Sequence, residues 1–226
     1  MSLPGKAALA MWWDMAPEIN FEFQDWHSHE HFRERLGIPG FRRATRWSNA
    51  SGAQGVFQMY ELEAFEILSS APYLASLNAP TPWSTKMMPH HRNMVRSQCR
   101  VLESSGGSVA RHALTIRLSP RAGEDGPLRA SLKDVAGHLV DRPGCVGAHL
   151  LRHEAPAIPQ TTEQKIRGGD RVADWVFLVI GYDLQVLKKL SDTGLGADAL
   201  ETIGAQPGSF REIYTLSFSA TPAEIA

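Results

Sequence analysis

Apolar and polar positions change period several times along this chain, and the changes mark its elements. "AALAMWWDM" from Ala7, "FRRATRWS" from Phe41 and "GVFQMYEL" from Gly55 read as strands. "MVRSQCRVLE" from Met94 is a fourth, in which Val95, Cys99 and Val101 alternate with Arg96, Gln98 and Arg100. A helix from about Asp25 to Leu36 follows the first strand, and a second helical stretch, "EAFEILSSAPYLASLN", follows the third. The order is β-α-β-β-α-β, the ferredoxin-like unit.

After the breaker "SSGGS" the order repeats. Strand "VARHALTIRL", helix "LRASLKDVAGHLV", strands "CVGAHLLRH" and "DWVFLVIGY", helix "LQVLKKLSDTGLGADALETI" and strand "REIYTLSFS" complete a second set. Two echoes accompany it: "IPGF" with "RPGC", and "VFQMYEL" with "VFLVIGYDL". They match Pro39 with Pro143 and Phe57 with Phe177. The fold class is α+β, a duplication with units over residues 1–105 and 106–226. A lone unit leaves one apolar sheet face bare, so the two four-stranded antiparallel sheets are expected to cover each other within one chain, as a barrel with helices outside. The competing arrangement is two domains that each pair with a second chain. The strand "WVFLVIG" is apolar on both faces, Val176, Leu178 and Ile180 on one and Phe177 and Val179 on the other, and is expected to be central.

Charge narrows the partners. The chain has 23 basic and 24 acidic side chains mixed along its length, so no cationic stripe exists to collect phosphates and nucleic acid is not an expected partner. Cys99 and Cys145 are far apart and outside Cys-x-x-Cys spacing, which argues against a disulfide scaffold or structural zinc and fits a reducing cytoplasm. Asp14 and Glu18 interrupt the N-terminal apolar run before a signal-peptide core develops, and no segment has the length of a membrane span.

One stretch resembles a known group. "WHSHEHFRERLGIPGFRRATRW", then "VFQMYELE" and "NAPTPW", is similar to the EthD-type branch of the dimeric α/β-barrel superfamily, over about residues 7 to 103. The pair Glu30-His31 followed by "RERLGIPGF" is its most specific part. The resemblance implies the barrel fold and favours His31 as the functional residue. It selects no reaction, because the superfamily includes monooxygenases, lactone isomerases and haem enzymes. The second half has no Glu-His pair, only His138 nearby, which implies one site per chain.

The residues themselves leave the histidine cluster open. On a helical wheel Phe32 and Leu36 define a buried stripe, on which Asp25 and His29 fall; His31 lies on its flank, and His27 and Glu30 point away to solvent. Asp25 and His29 are an i,i+4 pair in which the carboxylate orients the imidazole, as for a general base, or else Asp25 caps the helix and His29 is a core histidine. His27 and His31 have zinc-compatible spacing, but His-Glu-x-x-His fails at Arg33 and no metal is expected. Asn78 to Asn93 reads as a long loop whose Trp83, Met87 and Met88 form either an apolar lid or a core plug. Arg43 and Tyr60, on adjacent strands, are candidates to hold an oxyanion. His112, His149 and His153 have no partner pattern, and "EAPAIPQTTEQKIRGGDR" reads as a polar, mobile arm.

The leading expectation is a cofactor-independent enzyme or binding protein for a small apolar or aromatic, oxygen-bearing metabolite, with His31 or His29 as acid/base beside Asp25. No nucleotide or flavin fingerprint is present. One alternative is a haem protein of the same superfamily; another is a non-catalytic interaction or structural module. A homodimer, in addition to the internal pairing, stays open.

Overall fold

The computed structural model describes residues 3–225. The first half runs β1 (Ala7–Asp14), α1 (Asn20–Trp26), a π-helical turn over His27–His31, α2 (Phe32–Leu36), β2 (Phe41–Asn49), β3 (Val56–Leu62), α3 (Ala71–Asn78), α4 (Pro82–Met87) and β4 (Arg92–Gly106). The second runs β5 (His112–Leu118), α5 (Asp125–Val140), β6 (Cys145–His153), α6 (Thr162–Arg167), β7 (Trp175–Gly181), α7 (Leu184–Asp192), α8 (Ala197–Thr202) and β8 (Phe210–Ala220), with a last turn α9 (Pro222–Ile225). The strands close into one barrel in the order β1-β3-β2-β8-β5-β7-β6-β4. The two sheets face each other as expected and also join edge to edge, through β2–β8 and β4–β6, so no strand edge is left open.

Three apolar layers result. Trp12, Trp47, Phe57, Met59, Val176, Leu178 and Ile180 fill the barrel. Phe57 lies between the rings of Trp12 and Trp47, with centroids 5.0 and 5.1 Å away. Outside it, the main helices of each half pack on their own sheet, whereas α6 and α9 of the second half pack on the first. Strand β7 is buried on both faces, as its composition predicts.

The Pro-Gly echoes occupy equivalent turns. Gly40 and Gly144 sit at φ 96° and 94°, left-handed backbone that glycine adopts without steric cost. A Cβ on Gly40 would come within 2.5 Å of Ile67, and one on Gly144 within 2.7 Å of Val186, so both turns also require the small residue. The carbonyl of Gly40 accepts from Glu63 N at 2.8 Å and that of Gly144 from Tyr182 N at 2.9 Å. These bonds fix the register of the repeat and correct one expectation. Leu62 pairs with Ala7 as Gly181 pairs with His112, so five residues earlier Phe57 matches Val176, and Gln58 matches Phe177. The echo "VFQMYEL" and "VFLVIGY" is one residue out of step, which in a strand exchanges the two faces.

Other differences have local causes. The expected loop from Asn78 to Asn93 contains α4, because Thr81 caps it by accepting from Ser84 N at 3.0 Å and Pro82 starts its first turn. "SSGGS" is no full break: β4 extends to Gly106 and pairs Ser104 with His149. The last long helix is divided into α7 and α8 around Gly194-Leu195-Gly196. Among the described residues no helix is long and apolar enough to cross a membrane.

Candidate functional site

The first helix buries Phe23, His27, Phe32 and Leu36, steps of four, five and four residues. The step of five is the π turn, in which Phe32 N–H reaches back to His27 O. Such a turn holds one residue more than an α-helical turn, and a wheel drawn back from Phe32 and Leu36 is then wrong by about 100° on its far side. This corrects the expected orientations. His27 is buried, not solvent-facing. Asp25 and His29 do pair, Nδ1 to Oδ1 at 2.7 Å, but on the exposed surface, with their side chains 50% and 66% accessible. Glu30 holds the turn: its Oε1 accepts from Trp26 Nε1 at 3.1 Å, from Thr81 Oγ1 at 2.5 Å and from Ser84 Oγ at 3.4 Å.

Beneath the turn lies a cavity of about 30 Å³ between helix and sheet, bounded by Trp13, Trp26, His27, His31, Gln58, His91 and Arg167, with Met11, Met88 and Met94 completing the wall. That is room for one or two waters. His27 donates from Nε2 to Gln58 Oε1 at 3.0 Å, which leaves Nδ1 to accept from Arg46 at 3.2 Å. Arg46 also reaches Gln24 O and Ser28 Oγ, so it ties β2 to the turn. His31 stacks against Trp26, centroids 4.6 Å apart, and lies 5.4 Å from the His27 ring. Its Nδ1 is buried without a hydrogen-bond partner, and Glu34 Oε2 is 3.9 Å away. Three other lining residues have buried, unpartnered donors: Trp13 Nε1, Gln58 Nε2 and Arg167 Nε.

Burial holds all three imidazoles below their ordinary range. His27 is lowered by burial and by the Arg46 charge, and His31 by burial and by Arg35. Burial, with Arg167 adding to it, brings His91 down to about 3. All three are neutral at pH 7.

Arg167 arrives from the segment expected to be a mobile arm. Instead it contains α6, started by a capping box in which Thr161 and Gln164 bond each other's backbone. Thr162 N donates to Asn78 Oδ1 at 3.1 Å, Glu163 forms a buried ion pair with Arg35, and Arg167 pairs with Asp170 at 3.0 Å. The arm therefore roofs the first-half site. On its far side is a second cleft of about 350 Å³, lined by Arg96, Gln98, His153, Gln164, Gly168 and Asp170.

The other expected site residues are dispersed. Tyr60 is buried between Phe32 and Phe41 and does not line the cavity; burial pushes its phenol up. Arg43 points to the opposite side of the sheet, where it donates to Ser108 Oγ at 3.3 Å, so the two do not form an oxyanion pair. Neighbouring strands pair Arg43 with Glu61 and Tyr60 with Ala44, which separates them by one residue and hence by one face. Trp83 lies half-buried against the outside of the layer and donates to Glu22 Oε1 at 3.2 Å, and Met87 is core; Met88 is the methionine at the cavity. Sequence reading missed Gln58, Arg46, His91, Arg35, Glu163 and Arg167.

No grouping of three or more histidine, cysteine or acidic side chains suited to a metal ion occurs among the described residues. The residues around His31 do not fit a haem: the cavity that the imidazole lines is water-sized, and the Trp26 ring lies 4.6 Å from its own. His27 and His149 have both ring nitrogens engaged, the latter by Ser104 Oγ at 2.8 Å and Gly107 O at 3.1 Å.

No family model matches the chain, and no curated protein matches it. Solved structures do. An anthrone oxidase-like protein, 12% identical, superposes with a TM-score of 0.67 over 100% of this chain and 98% of its own. A putative monooxygenase from Fusobacterium nucleatum, 7% identical, gives 0.64 over 96% and 95%. A ferredoxin-fold protein from Listeria monocytogenes related to antibiotic biosynthesis monooxygenases, 10% identical, gives 0.51 over 96% and 97%. At these identities the likeness is one of fold. The chain has the dimeric α/β-barrel fold, with both halves supplied by one polypeptide.

Proposed function

We propose that this protein binds a small, mainly apolar or aromatic metabolite bearing an oxygen function, in the helix–sheet layer of its first half, and that His31 exchanges a proton with it. The observation that carries this reading is a cavity lined by His31, Trp13, Gln58 and Arg167, each of which has a buried polar atom without a partner: Nδ1, Nε1, Nε2 and Nε. Buried polar atoms of this kind need partners, and a ligand oxygen among aromatic walls supplies them. A neutral His31 accepts the proton of an acidic hydroxyl or activated C–H. Glu34 favours the imidazolium as it forms, and Arg167 faces the oxyanion left behind. The anthrone oxidase-like and monooxygenase-like names of structures with this fold agree with an aromatic, oxygen-bearing substrate.

A ring needs more room than about 30 Å³, and the cleft across the arm offers about 350 Å³. Displacement of α6 about Gly168-Gly169 would join the two. On this reading residues 1–105 are the site-bearing unit and 106–226 the supporting unit that lends the roof; kinship with the EthD-type branch belongs to the same proposal and rests on Glu30-His31. Thermal unfolding with 2-naphthol tests it: the parent should gain stability and His31→Gln should not. Equal stabilisation of the two proteins would remove His31 from the site.

A further inference from the structure

The barrel has a mouth that the proposed function does not use. Strand β5 turns Thr115 and Arg117 inward, and Thr115 Oγ1 accepts from Trp12 Nε1 at 3.2 Å across the barrel. Arg117, nearer the end of the strand, lies 5.3 Å from the Trp12 ring and 4.2 Å from the Phe210 ring, a cation held between two aromatic side chains. Among the described residues it has no ion pair and no hydrogen bond, and its Nε is buried. A pocket of about 330 Å³ opens over it, with Arg171, Ser119 and Gly208 around the rim and Val95, Val172 and Phe210 as apolar wall. Phe210 and Val172 are 47% and 56% exposed, more apolar surface than a plain barrel plug would show.

An arginine stacked on aromatic faces has its edge donors fixed in direction, and without a protein carboxylate those donors suit an external one. Asp14 and Glu212 act electrostatically on Arg117, and Asp174 lines the pocket, so a singly charged anion is favoured over a phosphate dianion. The apolar wall calls for a short hydrocarbon or aromatic body. We infer that the barrel mouth is a binding site for a small monocarboxylate with an apolar body, held by Arg117 and Arg171 and lying against Phe210 and Val172.

The test is an NMR titration of the isotope-labelled full chain with benzoate, with benzyl alcohol and phenyl phosphate as comparators. Benzoate should shift the amide signals of Arg171, Gly208 and Phe210, benzyl alcohol should leave them in place, and phenyl phosphate should bind more weakly than benzoate. Arg117→Gln should weaken benzoate about tenfold, the loss of a charge-assisted hydrogen-bonded contact. If that variant does not fold, the exposed Arg171→Gln serves, with a loss of about threefold expected from one peripheral charge. Unshifted mouth signals, undiminished affinity in the variant studied, or tighter binding of phenyl phosphate than of benzoate would each overturn the assignment.

Discussion

The two helix–sheet layers have the same strand order, the same turns and different contents. In the second, β6 and β7 set Leu150 opposite Phe177, beneath α5 with its buried Leu128, Leu132, Ala136 and Leu139. In the first, the equivalent cross-strand pair is Arg46 and Gln58, beneath a helix whose π turn delivers His27 and His31. Hydrocarbon suffices to hold the fold, as the second layer demonstrates. Polar side chains in the same positions carry a desolvation cost that packing does not require, and a π turn within a helix is a feature often found at functional sites. The difference teaches where polar groups are placed in this duplication: buried in one copy, while the other is packed with hydrocarbon and lends the roof.

The contrast can be broken at the roof, where the largest effect is expected. Glu163→Ala leaves Arg35 buried without its main partner and should cost about 3–5 kcal/mol in denaturant unfolding. Burial alone would lower Arg35, but Glu163 and Glu34 outweigh it and keep it charged. Adding Arg35→Leu should recover much of that loss; no recovery would mean that the arm is held by other contacts.

A smaller effect separates the paired strand positions. Gln58→Leu strips buried His27 of its acceptor and should cost about 1–3 kcal/mol. Phe177→Leu, which trims a buried ring to a smaller apolar side chain at the matching place, should cost less, about 1 kcal/mol. The reverse order would show that the polar network adds nothing to the first layer.

The layers should also respond differently to acid. His27 and His31 have folded-state pKa values well below the unfolded value, so the unfolded chain binds protons first as the pH falls. Stability they confer is complete above about pH 6.5 and is lost below it, at up to about 1.4 kcal/mol per pH unit for each histidine. Replacing His31 by Phe should flatten the fall in melting temperature between about pH 6.5 and 5. An unchanged slope would place the protonation elsewhere, for instance at His149, which burial brings down to about 4.

The smallest effect belongs to the surface pair. Asp25→Asn or His29→Ala should change stability by less than about 0.5 kcal/mol and leave ligand binding intact. A large loss of binding would return the pair to the site.

Much of the architecture was legible because it rests on period and turn chemistry. Strands β1 to β8 follow from apolar runs and alternation, and Gly40 and Gly144 from the Pro-Gly pairs that precede matched strands. The site was less so. A wheel assumes a constant 100° per residue, and nothing in "HSHEH" announces the extra residue that turns His27 inward and His29 outward. His31 was reached through a motif, while Gln58 was visible only as a polar residue in a mostly apolar strand and Arg46 only as one of several arginines on a mostly polar one. Thr161 and Gln164 did carry a helix signal, the capping box, but the ion pair from Glu163 to Arg35 spans the two halves of the chain and has no local signature. Thr81-Pro82 likewise marks the start of α4.

Indole N–H signals compare the layers most directly, because tryptophans report on each: Trp13 and Trp26 line the first-half cavity, Trp47 lies in the barrel and Trp175 in the second-half layer. On titration of the labelled chain with 2-naphthol, the Trp13 and Trp26 signals should move together and saturate, while those of Trp47 and Trp175 stay in place. Movement of Trp175 or Trp47 with Trp13 and Trp26 unmoved would contradict the assignment of the ligand site to the first layer.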